Sequence, residues 1–104
     1  MNFYIQNKID RLANGETFIT TEGGNSMTPI IESKQPTKLA PCKWEDCEIG
    51  DIVFCKVHGS YFTHLVKGKN EKRGLLIGNN HGKINGWTKN VYGKVIEIIQ
   101  DWKK

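Results

Sequence analysis

The stretch Ile52-Val53-Phe54-Cys55-Lys56-Val57-His58-Gly59-Ser60-Tyr61-Phe62-Thr63-His64-Leu65-Val66 decides the fold. Its β-branched and aromatic halves read as two strands, Ile52 to Val57 and Tyr61 to Val66. The short connection His58-Gly59-Ser60 makes them a hairpin. Gly50-Asp51 is the turn signal that leads into it. On the C-terminal side, Leu75-Leu76-Ile77 is a short strand ending at Gly78-Asn79-Asn80, and Val91 to Ile99 is the last long strand. On the N-terminal side, Thr17-Phe18-Ile19-Thr20-Thr21 reads as a strand, broken by Gly23-Gly24-Asn25. Pro29, Pro36 and Pro41 punctuate the next stretch into extended pieces and turns. The start differs: Ile5, Ile9 and Leu12 are spaced i, i+4, i+7, predicting a helix over about 2–14 that stops at Asn14-Gly15. One mainly β domain with an N-terminal helix follows, the β part covering about 16–99.

The chain has 104 residues, 38% hydrophobic and 25% charged, which suits a single domain spanning 1–104 and excludes a disordered or fibrous class. No stretch approaches the roughly 20 apolar residues of a membrane span. Met1 to Ile9 lacks the apolar run of a signal peptide, so a cytoplasmic location is expected. Fifteen basic residues against eleven acidic ones give a formal charge of +4, modest for a nucleic-acid binder. The positive charge is uneven. Between Glu71 and Glu97 there is no acid, while Lys72, Arg73, Lys83, Lys89 and Lys94 all fall there. Such a segment is either a solvated lysine face or a surface for an anionic partner. Cys42, Cys47 and Cys55 are an odd count with no common zinc spacing, so reduced, buried or half-buried thiols are expected, with no metal and no cofactor.

Two pieces carry chemistry. In Gly24-Asn25-Ser26-Met27-Thr28-Pro29 a serine follows a glycine-rich turn, which can expose the hydroxyl and turn backbone N–H groups toward an oxyanion. His64, inside the second strand of the hairpin, can act as general base for a serine if the fold joins them. Each has a plain alternative: a serine that caps a turn, and a strand histidine at the surface.

In order, Gly-Asn-Ser-Met-Thr-Pro at 24–29, Gly50-Asp51-Ile52-Val53, Thr63-His64-Leu65-Val66 and Gly78-Asn79-Asn80 resemble the peptidase superfamily of signal peptidases and LexA-type repressors. The resemblance covers roughly residues 15 to 99. It implies an irregular, coiled and partly barrel-like β fold, with Ser26 as nucleophile and His64 as general base. Histidine-type members carry acids where this chain has Asn79, Asn80 and Asn85. Gly24 stands where bacterial members offer a serine hydroxyl to the oxyanion. Neither the membrane anchor of signal peptidases nor the DNA-binding domain of LexA-type repressors is expected in this sequence. Small stand-alone members occur in phage and mobile-element settings, and for such a member the resemblance implies a role in sequestering a host signal.

A third piece is Ile77 to Thr88, where Asn79, Asn80, His81, Lys83, Asn85 and Trp87 are interleaved with glycines. Asparagine amides suit base edges or sugar hydroxyls, lysine suits phosphate, and a tryptophan face stacks on a flat ring. The alternative is that the asparagines satisfy turns and Trp87 fills the core. Three functions follow from these readings. The first is acyl transfer by a Ser26–His64 dyad acting on a peptide. The second is a catalytically silent, peptidase-like binding protein that sequesters a small anionic, nucleotide-like molecule through Gly24, Asn25, Ser26, His64, Asn79, Asn80, His81, Lys83, Asn85 and Trp87. The third, an adaptor using its basic face, ranks last.

Overall fold

The computed structural model describes residues 3–103. Helix α1 spans Phe3–Ala13 and ends as expected. Gly15 takes a positive φ of 83°. Its N–H bonds to Leu12 O, and the Glu16 N–H reaches back to Arg11 O, both at 3.0 Å. These are the paired bonds of a Schellman stop. The remaining elements are strands β1 (Phe18–Thr20), β2 (Thr37–Pro41), β3 (Ile52–Val57), β4 (Ser60–Asn70), β5 (Gly74–Gly78), β6 (Ile84–Thr88) and β7 (Val91–Ile98). A short 3-10 turn at Trp44–Asp46 lies between β2 and β3.

Seven strands form one antiparallel sheet in the order β1-β2-β7-β3-β4-β5-β6. The fold is therefore mainly β with one N-terminal helix. The sheet does not close, and β1 and β6 are its edges. It does curl: a Cβ on Gly86 of β6 would lie 2.7 Å from His58 Nε2, at the β3–β4 turn. Among the described residues, no helix is long and apolar enough to cross a membrane.

The hairpin is the centre. β3 pairs with β4 from Ile52↔Leu65 to Val57↔Ser60, around a two-residue turn whose φ values, 48° at His58 and 83° at Gly59, are both positive. That geometry matches the right-handed twist of the strands it joins. Alternation along β3 feeds two cores. Phe54 packs with Leu12, Phe18 and Leu39 under α1. Val53, Cys55 and Val57 pack with Cys47, Val66, Leu75 and Ile77 on the other side. A strand buried on both faces explains its nearly continuous apolar sequence. The three cysteines are free thiols: Cys47 and Cys55 are buried and Cys42 half-buried. The Cys42 and Cys47 sulfurs lie 3.2 Å apart. Burial pushes the Cys55 thiol up to about 12.

Two elements differ from the sequence reading. β4 continues past Val66 to Asn70. Ile84–Thr88, which the sequence reading assigns to no strand, forms edge strand β6 against β5. Its glycines and asparagines hid the pattern: Gly86, at φ 136°, comes close to His58, and the register slips between Ile77 and Gly78. A bulge of this kind breaks the two-residue alternation that marks a strand. Gly74, with φ 90°, starts β5 where a Cβ would collide with the Thr88 carbonyl of β6. Gly74→Ala is expected to destabilise the protein by about 3 kcal/mol. Urea unfolding measures this, and a midpoint equal to wild type would contradict the close approach.

Candidate active site

The serine loop is built from the β1 exit to β2. Gly24, at φ 105°, turns the chain, and its N–H donates to Ser33 Oγ at 3.1 Å. Met27 is buried and anchors the loop, while the Thr28–Pro29 peptide is cis. The β5–β6 connection braces the same loop from the far side. The Asn80 N–H donates to Ser26 O at 2.9 Å, and Asn80 Nδ2 donates to Thr28 O at 2.9 Å. His81 Nε2 lies 3.0 Å from Asn25 O and 2.9 Å from Thr28 Oγ1. Asn79 serves its own turn, its Oδ1 accepting from the N–H groups of His81 and Lys83.

His64 comes from β4, opposite Val53. It is 7% exposed, and its ring stacks on Phe62 with centroids 4.9 Å apart. Its Nε2 lies 3.0 Å from Ser26 Oγ, and its Nδ1 lies 2.7 Å from Asn85 Oδ1 on β6. Asn85 reaches inward because the bulge in β6 places it there: Gly78 pairs with Ile84 while Ile77 pairs with Gly86. With the Asn85 carbonyl oxygen as acceptor, Nδ1 carries the proton. Nε2 is then free to accept from the serine hydroxyl. Three residues from three separate segments thus form one chain, Asn85–His64–Ser26.

Ser26, His64, Asn79, Lys83 and Asn85 share a cleft of about 360 Å³ with Glu22 and Gly23. Gly24 lines an adjoining hollow that also takes in Ser26. Asn25, Asn80 and His81 shape the loop beneath. Trp87 is not among the residues lining the cleft. It packs beside Gly68, under the Arg73 guanidinium 5.4 Å from its ring.

Sequence reading missed Glu22, the acid beside the pair. Its Oε1 accepts from Lys8 Nζ at 2.8 Å and from Thr63 Oγ1 at 2.6 Å. Lys8 is nearly buried, its ammonium 4.2 Å from the Phe54 ring centroid. The signal for Lys8 was present: it falls at i+3 of the stripe Ile5, Ile9, Leu12, so it must face the sheet. Nothing local marked Glu22, since only pairing in space brings it to the cleft.

Burial pushes the His64 pKa below its ordinary value. The Asn85 hydrogen bond and the Glu22 charge oppose that shift, and the Lys83 charge adds to it. His64 is therefore neutral at neutral pH, the form in which its Nε2 can accept a proton. No protein-family model matches the chain, and no curated protein matches it.

The titration has a definite sign. The unfolded chain binds the His64 proton near 6.5 and the folded chain only at lower pH. Stability is expected to rise with pH across that window and to fall as pH drops below 6.5. NMR titration of the His64 ring checks the folded midpoint, and a value at or above 6.5 would contradict the burial seen here.

Proposed function

We propose that this chain is a serine acyl-transfer domain of the signal peptidase and LexA type, acting on a peptide. One observation carries the reading: Ser26 Oγ lies 3.0 Å from His64 Nε2, whose other nitrogen is held by Asn85. The order of the sequence motifs supports it, as does an open, curled antiparallel sheet that supplies the base from β4.

Ser26 Oγ adds to the carbonyl carbon while its proton passes to His64 Nε2. The Ser26 N–H meets the developing oxyanion. Collapse expels the amine, which takes the proton from Nε2 and leaves an acyl ester on Oγ. Water, deprotonated by the same nitrogen, hydrolyses that ester and restores the hydroxyl. Asn85 sets the tautomer, as the asparagine of papain-like sites does, but brings no charge to the imidazolium.

A second reading draws on the same cleft. Lys83 and Asn79 on its lip, with an amide rather than a carboxylate behind His64, favour a silent site that sequesters a small anionic, nucleotide-like molecule. With Trp87 away from the cleft lining, Phe62 and Tyr61 are the rings at hand.

A fluorophosphonate separates the two readings. Serine attack on phosphorus displaces fluoride and leaves an adduct that survives denaturation. Acyl transfer predicts such an adduct on Ser26, none in Ser26→Ala, and labelling slowed about a hundredfold or more in His64→Ala. Asn85→Asp should speed labelling by about tenfold or more by adding the missing charge at Nδ1. Absence of label on wild-type Ser26 would end the acyl-transfer reading. Native mass spectrometry of protein incubated with a cell extract then tests the second, which predicts a small molecule that is lost on denaturation.

A further inference from the structure

A negative charge near the imidazolium helps a serine–histidine pair, and the residue hydrogen-bonded to His64 is an amide. The charged groups around His64 come from three elements. Lys83 reaches the cleft from the β5–β6 connection. Glu22 reaches it from the β1 exit, and Lys8 of α1 stands behind Glu22. The Cys55 thiol on β3 stays neutral. Glu22 is thus the one carboxylate lining the cleft among the described residues, and it is fixed rather than free. Its Oε1 is held by Lys8 from one side and by Thr63, the residue before His64, from the other. The Lys8 side chain is 5% exposed and that of Glu22 40%, so the pair runs from the interior under α1 to the wall of the cleft.

We propose that Glu22 is the positioning residue that supplies the counter-charge for His64, and that Lys8 sets how much of that charge the histidine feels. The consequence for rate rests on the acyl-transfer reading; the electrostatics do not. When His64 takes the Ser26 proton, the carboxylate stabilises the imidazolium across the cleft wall, without a hydrogen bond to it. Lys83 opposes it. Helix α1 thereby acts on the chemistry: a change that draws Lys8 away from Glu22 makes His64 more basic.

Two substitutions of the same ion pair should move His64 in opposite directions. Glu22→Gln keeps an oxygen for Lys8 and Thr63 but removes the charge, so the His64 midpoint falls by about half a pH unit. Lys8→Met removes the cation that offsets Glu22, so the midpoint rises by a comparable amount. Glu22→Asp keeps the charge and leaves the midpoint near wild type. A purely structural bond between α1 and the serine loop would loosen in the first two variants alike and shift both the same way. NMR titration of His64 in the full chain reads all three. Opposite shifts support the inference. Shifts of one sign, an unchanged midpoint in Glu22→Gln, or a Glu22→Asp midpoint that falls as far as that of Glu22→Gln would overturn it. Should Lys8→Met not fold, the Gln and Asp variants still decide. In the fluorophosphonate assay at pH 7, Glu22→Gln should also slow labelling of Ser26 by about threefold. If wild-type protein takes no label, the acyl-transfer reading falls, and the midpoints still decide the role of Glu22.

Discussion

A lysine ammonium under a helix must find a partner, because an unpaired charge removed from water is costly. Lys8 meets that demand with Glu22, while its ammonium lies over the Phe54 ring. The requirement fixes three things at once. It sets the face that α1 turns to the sheet. It pins the β1 exit, from which the serine loop starts. Through the Thr63 hydroxyl it ties that exit to β4, which carries His64. A residue that reads as a break in the apolar stripe of α1 is therefore the link between the helix and the cleft.

The serine loop has little regular structure, and side-chain hydrogen bonds hold it instead. Asn80 and His81 clamp its backbone at Asn25, Ser26 and Thr28 from the opposite edge of the sheet. Asn85, five residues on from Asn80, orients the His64 ring. The asparagines after β5 thus divide between two tasks, bracing the serine loop and setting the His64 tautomer. Asn79 shapes the turn that joins them. This division gives the polar run between Gly78 and Trp87 a structural account that needs no bound ligand, and it leaves Lys83 as the group of that run which offers charge to the cleft.

Much of the architecture was legible. The Ile52–Val57 strand and the turn at His58-Gly59 follow from β-branched runs around residues that tolerate a positive φ. The helix stop at Asn14-Gly15 follows from the same property. Ser26 and His64 were singled out by residue type and motif order, and they lie at hydrogen-bond distance. β6 was not legible, because a bulge and Gly86 interrupt its alternation. Glu22 was not legible either, since its neighbours in sequence say nothing of its neighbours in space.

The sequence by itself determined the mainly β class, the amphipathic helix, the hairpin and the candidate nucleophile and base. Those features depend on local backbone preference and hydrophobic period, which each segment carries alone. Only the tertiary structure decided that Asn85 rather than Asn79 or Asn80 faces His64, that Trp87 packs beside Gly68, and that Glu22 stands beside the pair. Each of these depends on strand register and on a buried charge seeking its partner. Register is settled by the whole sheet, and a slip of one residue reverses which side chains face the cleft.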